Sequence, residues 1–184
     1  MDRIPLSQIA EMAGAKILQG SPEVLVSSLS KDSRTIQLGD LYIALRGENF
    51  DGNAYAADAL AGGAAGVLMD SAEAAHSIPS PHPVLLVENG LAALTRMAVA
   101  WRSKLKLKVV GITGSSGKTS TKDFTAAVIG SRLKVVKTAG NLNNHIGVPL
   151  SILSATSEDD VAVWEVGMNH PGEIAPLAEL IKPD

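Results

Sequence analysis

A glycine-rich stretch that ends in Lys118 and Thr119 carries the residue types that bind a phosphate chain. Glycines let the backbone turn tightly and bring its N–H groups close to phosphate oxygens, and the positive end of a following helix favours the same anion. The lysine can reach the terminal phosphates, and the threonine hydroxyl can ligate magnesium. The predicted nucleotide-binding residues are Gly114, Ser115, Ser116, Gly117, Lys118, Thr119 and Ser120, with Lys118 also catalytic.

The glycine spacing departs from the usual phosphate-binding loop, G-x-x-x-x-G-K-[ST]. Five positions before Gly117 stands Ile112, and a glycine, Gly111, lies one place earlier. The alternative is a glycine-rich turn with a surface lysine. An apolar run before the loop and a helix-like segment after it, Thr121 to Leu133, favour the phosphate-binding loop.

Glu165 interrupts an apolar run, Val161 to Val166, at its carboxyl end. In open α/β sheets ligands bind beyond the carboxyl ends of the strands, where the phosphate loop also lies. We therefore expect Thr119 and Glu165 to hold Mg²⁺. The alternative is a glutamate on a half-exposed strand.

Three further groups of polar residues could bind a substrate. Asparagines at 141, 143 and 144 suit an extended polar ligand or, equally, a turn. His170 could reach the phosphate site or be a loop histidine before a helix. Ser33 and Arg34 could contact a phosphate or form a local turn. The predicted substrate residues are Ser33, Arg34, Asn141, Asn143, Asn144 and His170.

Strands alternate with helices along the chain, which predicts an α/β fold with parallel sheets. We expect a small N-terminal α/β domain over 1–85, then the first part of a parallel-sheet domain with the phosphate loop over 86–184. Helices are predicted at Leu6 to Ala13, Leu91 to Trp101 and Ile174 to Ile181. The second domain has only about three strands, and the Ile-Lys-Pro-Asp ending usually leads into another strand. We therefore expect a portion of a longer protein.

Composition excludes several classes of protein. The chain of 184 residues is 46% hydrophobic and can bury a core, while a net charge of −3 gives no reason to expect nucleic acid. The absence of cysteine excludes disulfides and thiolate metal sites. No signal peptide and no apolar run near ~18 residues is present. These features predict a cytoplasmic protein with no membrane insertion, and we expect a monomer.

The motifs together resemble the Mur ligases of bacterial cell-wall synthesis. The phosphate loop, including its shifted glycine, is similar to their ATP loop. Asp32-Ser33-Arg34, the stretch Gly39 to Gly47, and Asp51-Gly52 resemble their N-terminal UDP-binding domain. The stretches Gly140 to Pro149 and Glu165 to Ile174 look most like members that add D-alanyl-D-alanine.

The resemblance implies an ATP-dependent amide ligase with ATP and Mg²⁺ as cofactors. Its partners would be UDP-N-acetylmuramoyl-tripeptide and D-alanyl-D-alanine, joined through an acyl phosphate. Ser33 and Arg34 would line the uridine-diphosphate site, and the asparagines would position the muramoyl peptide or order the phosphate site. The family also uses a downstream histidine, a carbamylated lysine and a C-terminal domain, so we expect this chain alone to be inactive.

Other functions stay open at this stage. A sister ligase would add diaminopimelate or lysine, although the Asn-Leu-Asn-Asn-His loop argues against it. Folylpolyglutamate synthetase shares the ATP loop but should lack the Asp32-Ser33-Arg34 domain. A non-catalytic nucleotide-binding module would bind ATP without the muramoyl peptide. A kinase or GTPase is less favoured because no guanine-specificity motif is present.

Overall fold

The computed structural model describes residues 1–184, which form two compact units. The N-terminal unit is Asp2–Met97, and the C-terminal unit is Ala98–Asp184 together with Met1. The predicted domains, 1–85 and 86–184, were drawn from the order of strands and helices in the sequence and stay a prediction. None of the helices combines the length and the apolar character that a membrane crossing requires.

The N-terminal unit is built on a five-stranded sheet. The unit contains nine strands in all, five of which form this sheet. They are β1 (Ile4–Pro5), β2 (Lys16–Gln19), β3 (Leu25–Val26), β4 (Ser28–Ser30), β5 (Asp40–Ile43), β6 (Arg46–Gly47), β7 (Phe50–Asp51), β8 (Gly66–Met69) and β9 (Val84–Leu86). Its helices are α1 (Leu6–Ala13), α2 (Ala56–Ala61), α3 (Ala72–His76) and α4 (Gly90–Lys104), the last of which contains the division between the units.

In the main sheet the strand order is β2-β9-β8-β5-β4. The last four strands are parallel and β2 is antiparallel to β9. Every residue of β5 and β8 is buried, as expected for parallel strands that are covered on both faces. Tyr42, Val67 and Met69 pack with α2 residues Ala56, Ala59 and Leu60 in one core cluster. Two short antiparallel pairs, β1-β3 and β6-β7, lie outside this sheet.

The C-terminal unit contains a three-stranded, wholly parallel sheet in the order β10-β12-β11. Its elements are β10 (Lys108–Ile112), α5 (Lys118–Gly130), β11 (Val135–Lys137), α6 (Gly147–Ser154), β12 (Val161–Glu165) and α7 (Ile174–Ile181). The central strand β12 is buried at all five positions. Because all three strands run the same way, their carboxyl ends meet at one edge of the sheet.

The predicted α/β class with a parallel sheet is confirmed, and α1 and α7 have the predicted bounds. The predicted helix from Thr121 to Leu133 is wrong at both ends, because α5 runs from Lys118 to Gly130. It begins directly after Gly117, whose positive φ of 76° turns the chain into the helix. The lysine and threonine of the loop therefore belong to the first helical turn.

The packing of β12 predicts a large loss of stability on truncation of Val163, which is fully buried against Val161 and Ala126. Val163→Ala should lower the free energy of unfolding of the C-terminal unit by about 2–3 kcal/mol, because two methyl groups leave a cavity. Urea unfolding followed by tryptophan fluorescence measures this, since both tryptophans lie in that unit.

Val128→Ala is the matched control, because Val128 is 74% exposed on α5. Its free energy of unfolding should change by less than about 0.5 kcal/mol. Equal losses in the two variants would contradict the packing of the sheet described above.

Candidate functional site

The turn between β10 and α5 has the geometry of an anion-binding loop. Gly117 takes a left-handed conformation that a side chain would strain, and no side chain caps the first turn of α5. The N–H groups at the start of this helix, with its positive dipole end, can therefore receive an anion. Gly111 lies within β10, where a Cβ atom would come within 2.9 Å of Ile181 Cδ1. The shifted glycine thus serves the packing of strand against α7.

Lys118 folds back over this loop. Its Nζ donates a hydrogen bond to the backbone oxygen of Gly114 at 2.7 Å. The ammonium group is therefore held against the backbone of the turn. Ser115 and Ser116 are exposed in this turn, and Ser120 is exposed in the first turn of α5.

Glu165 is the centre of the polar arrangement at the carboxyl edge of the sheet. The residue is 1% exposed, which excludes the alternative of a half-exposed strand glutamate. The Thr119 hydroxyl donates to its Oε2 at 3.0 Å, and Asn143 Nδ2 donates to its Oε1 at 2.8 Å. The backbone N–H of Glu165 donates to Thr138 Oγ1 at 2.9 Å. A buried carboxylate needs such partners because burial penalises its charge.

The two predicted metal ligands fit a magnesium ion. Adjacent ligands in an octahedral shell, each about 2.1 Å from the metal, lie about 3.0 Å apart. This is the separation of Thr119 Oγ1 and Glu165 Oε2. No group of three or more histidine, cysteine, aspartate or glutamate side chains is arranged to hold a metal. The remaining ligands would be water and phosphate oxygens, as is usual for magnesium.

The three asparagines separate in space. Only Asn143 contacts Glu165, and its backbone oxygen also accepts the Gly167 N–H at 2.7 Å. A Cβ atom at Gly167 would come within 2.9 Å of the Asn143 amide, so this close approach requires glycine. Asn144 instead accepts the N–H groups of Ile146 and Gly147 in the turn that leads into α6. Asn141 is exposed, and its backbone oxygen accepts the Asn143 N–H.

His170 lies in the exposed loop after β12. Its backbone N–H and that of Asn169 donate to Glu173 Oε2, and these bonds lower the pKa of the Glu173 carboxyl. The His170 ring makes no hydrogen bond to the phosphate loop. No hydrogen bond joins the ring to Glu165 either, and its proposed contact with a ligand remains a prediction.

A cavity of about 520 Å³ lies in the N-terminal unit. Its lining mixes charged and aromatic side chains: Lys31, Asp32, Ser33, Arg34, Tyr42, Phe50, Tyr55 and Asp58. The two predicted residues Ser33 and Arg34 thus share one cavity. The Ser33 hydroxyl makes no hydrogen bond within the chain and is available to a ligand.

The Arg34 guanidinium contacts Asp32 rather than standing free. Its Nε and Nη2 donate to the two Asp32 oxygens at 2.9 and 2.6 Å, and Asp32 also accepts the Arg34 backbone N–H. These bonds lower the pKa of Asp32 to about 2 and raise that of Arg34. Three of the five N–H donors of the guanidinium remain for a ligand.

Aromatic residues of the cavity were not predicted as site residues. Phe50 and Tyr55 stack with ring centroids 5.3 Å apart and an interplanar angle of 12°. Tyr42, which lines the same cavity, is buried in the sheet and donates to Gly52 O at 2.9 Å, and burial raises its pKa to about 12. The scarcity of aromatics, 3% of the chain, was the signal that could have singled out these rings.

Thr138 was also missed. It follows β11 and, like Glu165, lies at the carboxyl edge of the sheet, and it is 1% exposed. The rule that these strand ends converge could have identified it.

Two family models match the chain. Residues 25–102 match the description "Mur ligase family, catalytic domain", and residues 112–184 match "Mur ligase middle domain". The two matches fall on the cavity with Arg34 and on the site around Glu165.

Among curated relatives, the chain is 40% identical to the UDP-N-acetylmuramoyl-tripeptide--D-alanyl-D-alanine ligase of Bacillus subtilis, a match that covers 97% of this chain and 39% of the relative. It is 39% identical to the ligase of the same name from Escherichia coli, covering 100% and 39%. The chain thus spans about two fifths of the length of these relatives.

Solved structures agree with this similarity. A crystal structure of MurF from Acinetobacter baumannii superposes with a TM-score of 0.86 at 30% identity, covering 100% of this chain and 40% of that one. MurF from Thermotoga maritima in complex with ADP gives a TM-score of 0.69 at 31% identity, covering 85% and 35%.

The Asp32–Arg34 pair predicts a low titration midpoint. Because the folded-state pKa lies below the ordinary value of 3.8, the carboxylate form stabilises the fold above about pH 4, and this contribution is lost as the pH falls through about 2. NMR of the Asp32 carboxyl carbon should give a midpoint of about 2. Arg34→Ala should move the midpoint toward 3.8, whereas Arg3→Ala should leave it unchanged. A wild-type midpoint near 3.8 would contradict the pairing.

Proposed function

The chain belongs to the Mur ligase family, and we propose that it supplies the UDP-substrate and ATP sites of a ligase that adds D-alanyl-D-alanine to UDP-N-acetylmuramoyl-tripeptide. The observation that carries this proposal is the Thr119–Glu165–Asn143 arrangement beside the uncapped start of α5. The names and coverage of the relatives support the substrates, and the ADP in one neighbour supports the nucleotide.

In the proposed reaction the terminal carboxylate of the tripeptide attacks the γ-phosphorus of ATP. The bond to the bridging oxygen breaks and ADP leaves. The amine of D-alanyl-D-alanine then attacks the acyl phosphate carbon, the C–O bond to phosphate breaks, and the amine loses a proton. The products are the UDP-linked pentapeptide, ADP and phosphate.

Residues of the C-terminal unit would serve the phosphoryl transfer. The N–H groups at the start of α5 would bind the phosphates, and Lys118 would leave the Gly114 oxygen to neutralise charge on the γ-phosphoryl group. Thr119 and Glu165 would hold Mg²⁺. A magnesium ion held there would supply positive charge to offset the negative charge that builds up on the phosphate oxygens. Asn143 would keep the Glu165 carboxylate in place.

Residues of the N-terminal unit would bind the UDP moiety. The free N–H groups of Arg34 and the Ser33 hydroxyl suit a diphosphate. Asn141, Asn144 and His170 are proposed as further substrate contacts because they are exposed polar residues on the two loops near the carboxyl edge of β11 and β12. A monomeric, cytoplasmic protein with no nucleic acid partner remains part of the proposal.

Nucleotide binding is tested by calorimetric titration of the 184-residue chain with ATP in the presence of Mg²⁺, after circular dichroism has shown that it is folded. Lys118→Ala should weaken binding about tenfold or more, because a charge-assisted contact with phosphate is lost. Lys134→Ala is the control, since Lys134 is exposed and pairs with Glu158. Binding that is equally weak in both variants would argue against Lys118 as the phosphate ligand.

The UDP site is tested by titration of the same chain with UDP-N-acetylmuramoyl-tripeptide and, separately, with UDP. Arg34→Ala should weaken both about tenfold, because both carry the diphosphate. Arg3→Ala removes an exposed arginine of the same unit and should have no effect. Tight binding of both ligands by Arg34→Ala would remove this cavity from the proposal.

A further inference from the structure

Lys122 is a buried cation that the proposed reaction does not use. Its side chain is only 2% exposed, although it lies on the helix that begins at the phosphate loop. It stands three residues after Thr119 and four after Lys118, so the three share one face of α5. Burial of an ammonium group is costly unless it is partnered. The contacts of Lys122 therefore indicate which groups offset the free-energy cost of its burial.

The directed contact of Lys122 is with a loop on another element. Its Nζ donates to Gly140 O at 3.3 Å, which is its one hydrogen bond. The Asp123 carboxylate lies 3.6 Å from Nζ, but it is half-exposed and binds Lys137 more closely, at 2.7 Å. Of the three donors of the ammonium group, one bonds the Gly140 carbonyl, and this contact is shorter than the one with Asp123.

Gly140 begins the loop that reaches Glu165, the proposed metal ligand. Three residues later, Asn143 donates to Glu165 Oε1, and the other oxygen of Glu165 accepts from Thr119. Three hydrogen bonds therefore connect two positions of α5 through the loop. Lys122 bonds Gly140, Asn143 of the same loop bonds Glu165, and Glu165 bonds Thr119, one helical turn before Lys122.

We propose that Lys122 is a positioning residue for the magnesium–nucleotide site. It holds the loop from Gly140 to Asn144 against α5, so that Asn143 fixes one oxygen of Glu165 and leaves the other directed at Thr119. Without the cation the loop loses its contact with the Lys122 side chain of α5, and Asn143 is held less firmly against Glu165. The role at the metal rests on the proposed function, whereas the attachment of the loop does not.

Hydrogen exchange of two adjacent amides tests the attachment in the ligand-free chain. The Gly167 N–H bonds to Asn143 O at 2.7 Å and reports the loop, whereas the Val166 N–H bonds to Ile112 O at 2.8 Å and reports the sheet. Lys122→Met should accelerate exchange at Gly167 about tenfold, with Val166 within about twofold. No change at Gly167, or equal acceleration of both amides, would overturn the proposal.

Two further variants keep this test decisive. Lys137→Met removes the other lysine that contacts Asp123 and should leave both amides unchanged. Should Lys122→Met not fold, Lys122→Gln is put through the same comparison. Selective acceleration at Gly167 is again the expected result, and its absence again counts against the proposal.

A double-mutant cycle tests the role at the metal. The apparent affinity for Mg²⁺ in the presence of ADP should fall about tenfold in Lys122→Met and in Asn143→Ala. The double variant should bind no worse than the weaker single variant, because Lys122 acts through Asn143. Lys122→Arg, which retains the cation, should recover part of the affinity. Additive losses, or an unchanged magnesium affinity with a lower melting temperature, would reduce Lys122 to a structural role.

The two proposals fail in different ways. A wild-type chain that binds no magnesium–ADP would contradict the proposed function, and the exchange of Gly167 would still decide whether Lys122 holds the loop. A wild-type chain that binds magnesium–ADP with an affinity that Lys122→Met does not alter would contradict the inference about Lys122 alone.

Discussion

The buried carboxylate of Glu165 is the constraint on which the C-terminal unit depends. A charge that is 1% exposed is tolerable only when both oxygens have donors, and those donors come from two other segments, α5 and the loop after β11. The parallel sheet makes this possible because it brings the carboxyl ends of β10, β11 and β12 to one edge. Removal of either donor would leave part of a buried charge without a partner, at a cost of about 1–3 kcal/mol.

The same constraint explains the choice of residues around the carboxylate. Gly167 must lack a side chain because the Asn143 amide occupies the space where a Cβ atom would lie. Thr138 is buried, and its hydroxyl accepts the Glu165 backbone N–H next to the strand ladder. Chemistry and packing are therefore not separate at this edge, since each residue that orients the carboxylate also joins two elements of the fold.

Helices and strands with a regular pattern of apolar residues were predictable from the sequence. The bounds of α1 and α7 follow from apolar spacing, and the burial of Glu165 follows from its place in an apolar strand. The start of α5 was not predictable from polarity, because Lys118 and Thr119 are polar residues that begin a helix only after the left-handed turn at Gly117. Elements as short as β6 and α3 carry too few residues for a period to be visible.

Pairings between distant polar residues were harder to foresee. The sequence places three asparagines together, but which of them faces Glu165 depends on how the loop closes against Gly167 and the start of α6. Lys122 resembles a solvated lysine of an exposed helix until the loop beside it is known. The partner of Arg34 lies close in sequence, because Asp32 is only two residues away. The sequence still did not decide between this pairing and a guanidinium that faces solvent.

The hydrogen bonds between Arg34 and Asp32 also change the conformational entropy that the Arg34 side chain would lose when a ligand binds. An unattached surface arginine loses up to about 2 kcal/mol of rotamer entropy when a ligand immobilises it. Arg34 is 84% exposed, but Asp32 holds two of its nitrogens, so part of this ordering accompanies folding. An anion in the cavity would contact a guanidinium that Asp32 already orients, and it would compete with the Asp32 carboxylate for that guanidinium. A contact between such an anion and Arg34 would therefore depend more on charge than on ordering, and it should weaken as ionic strength rises.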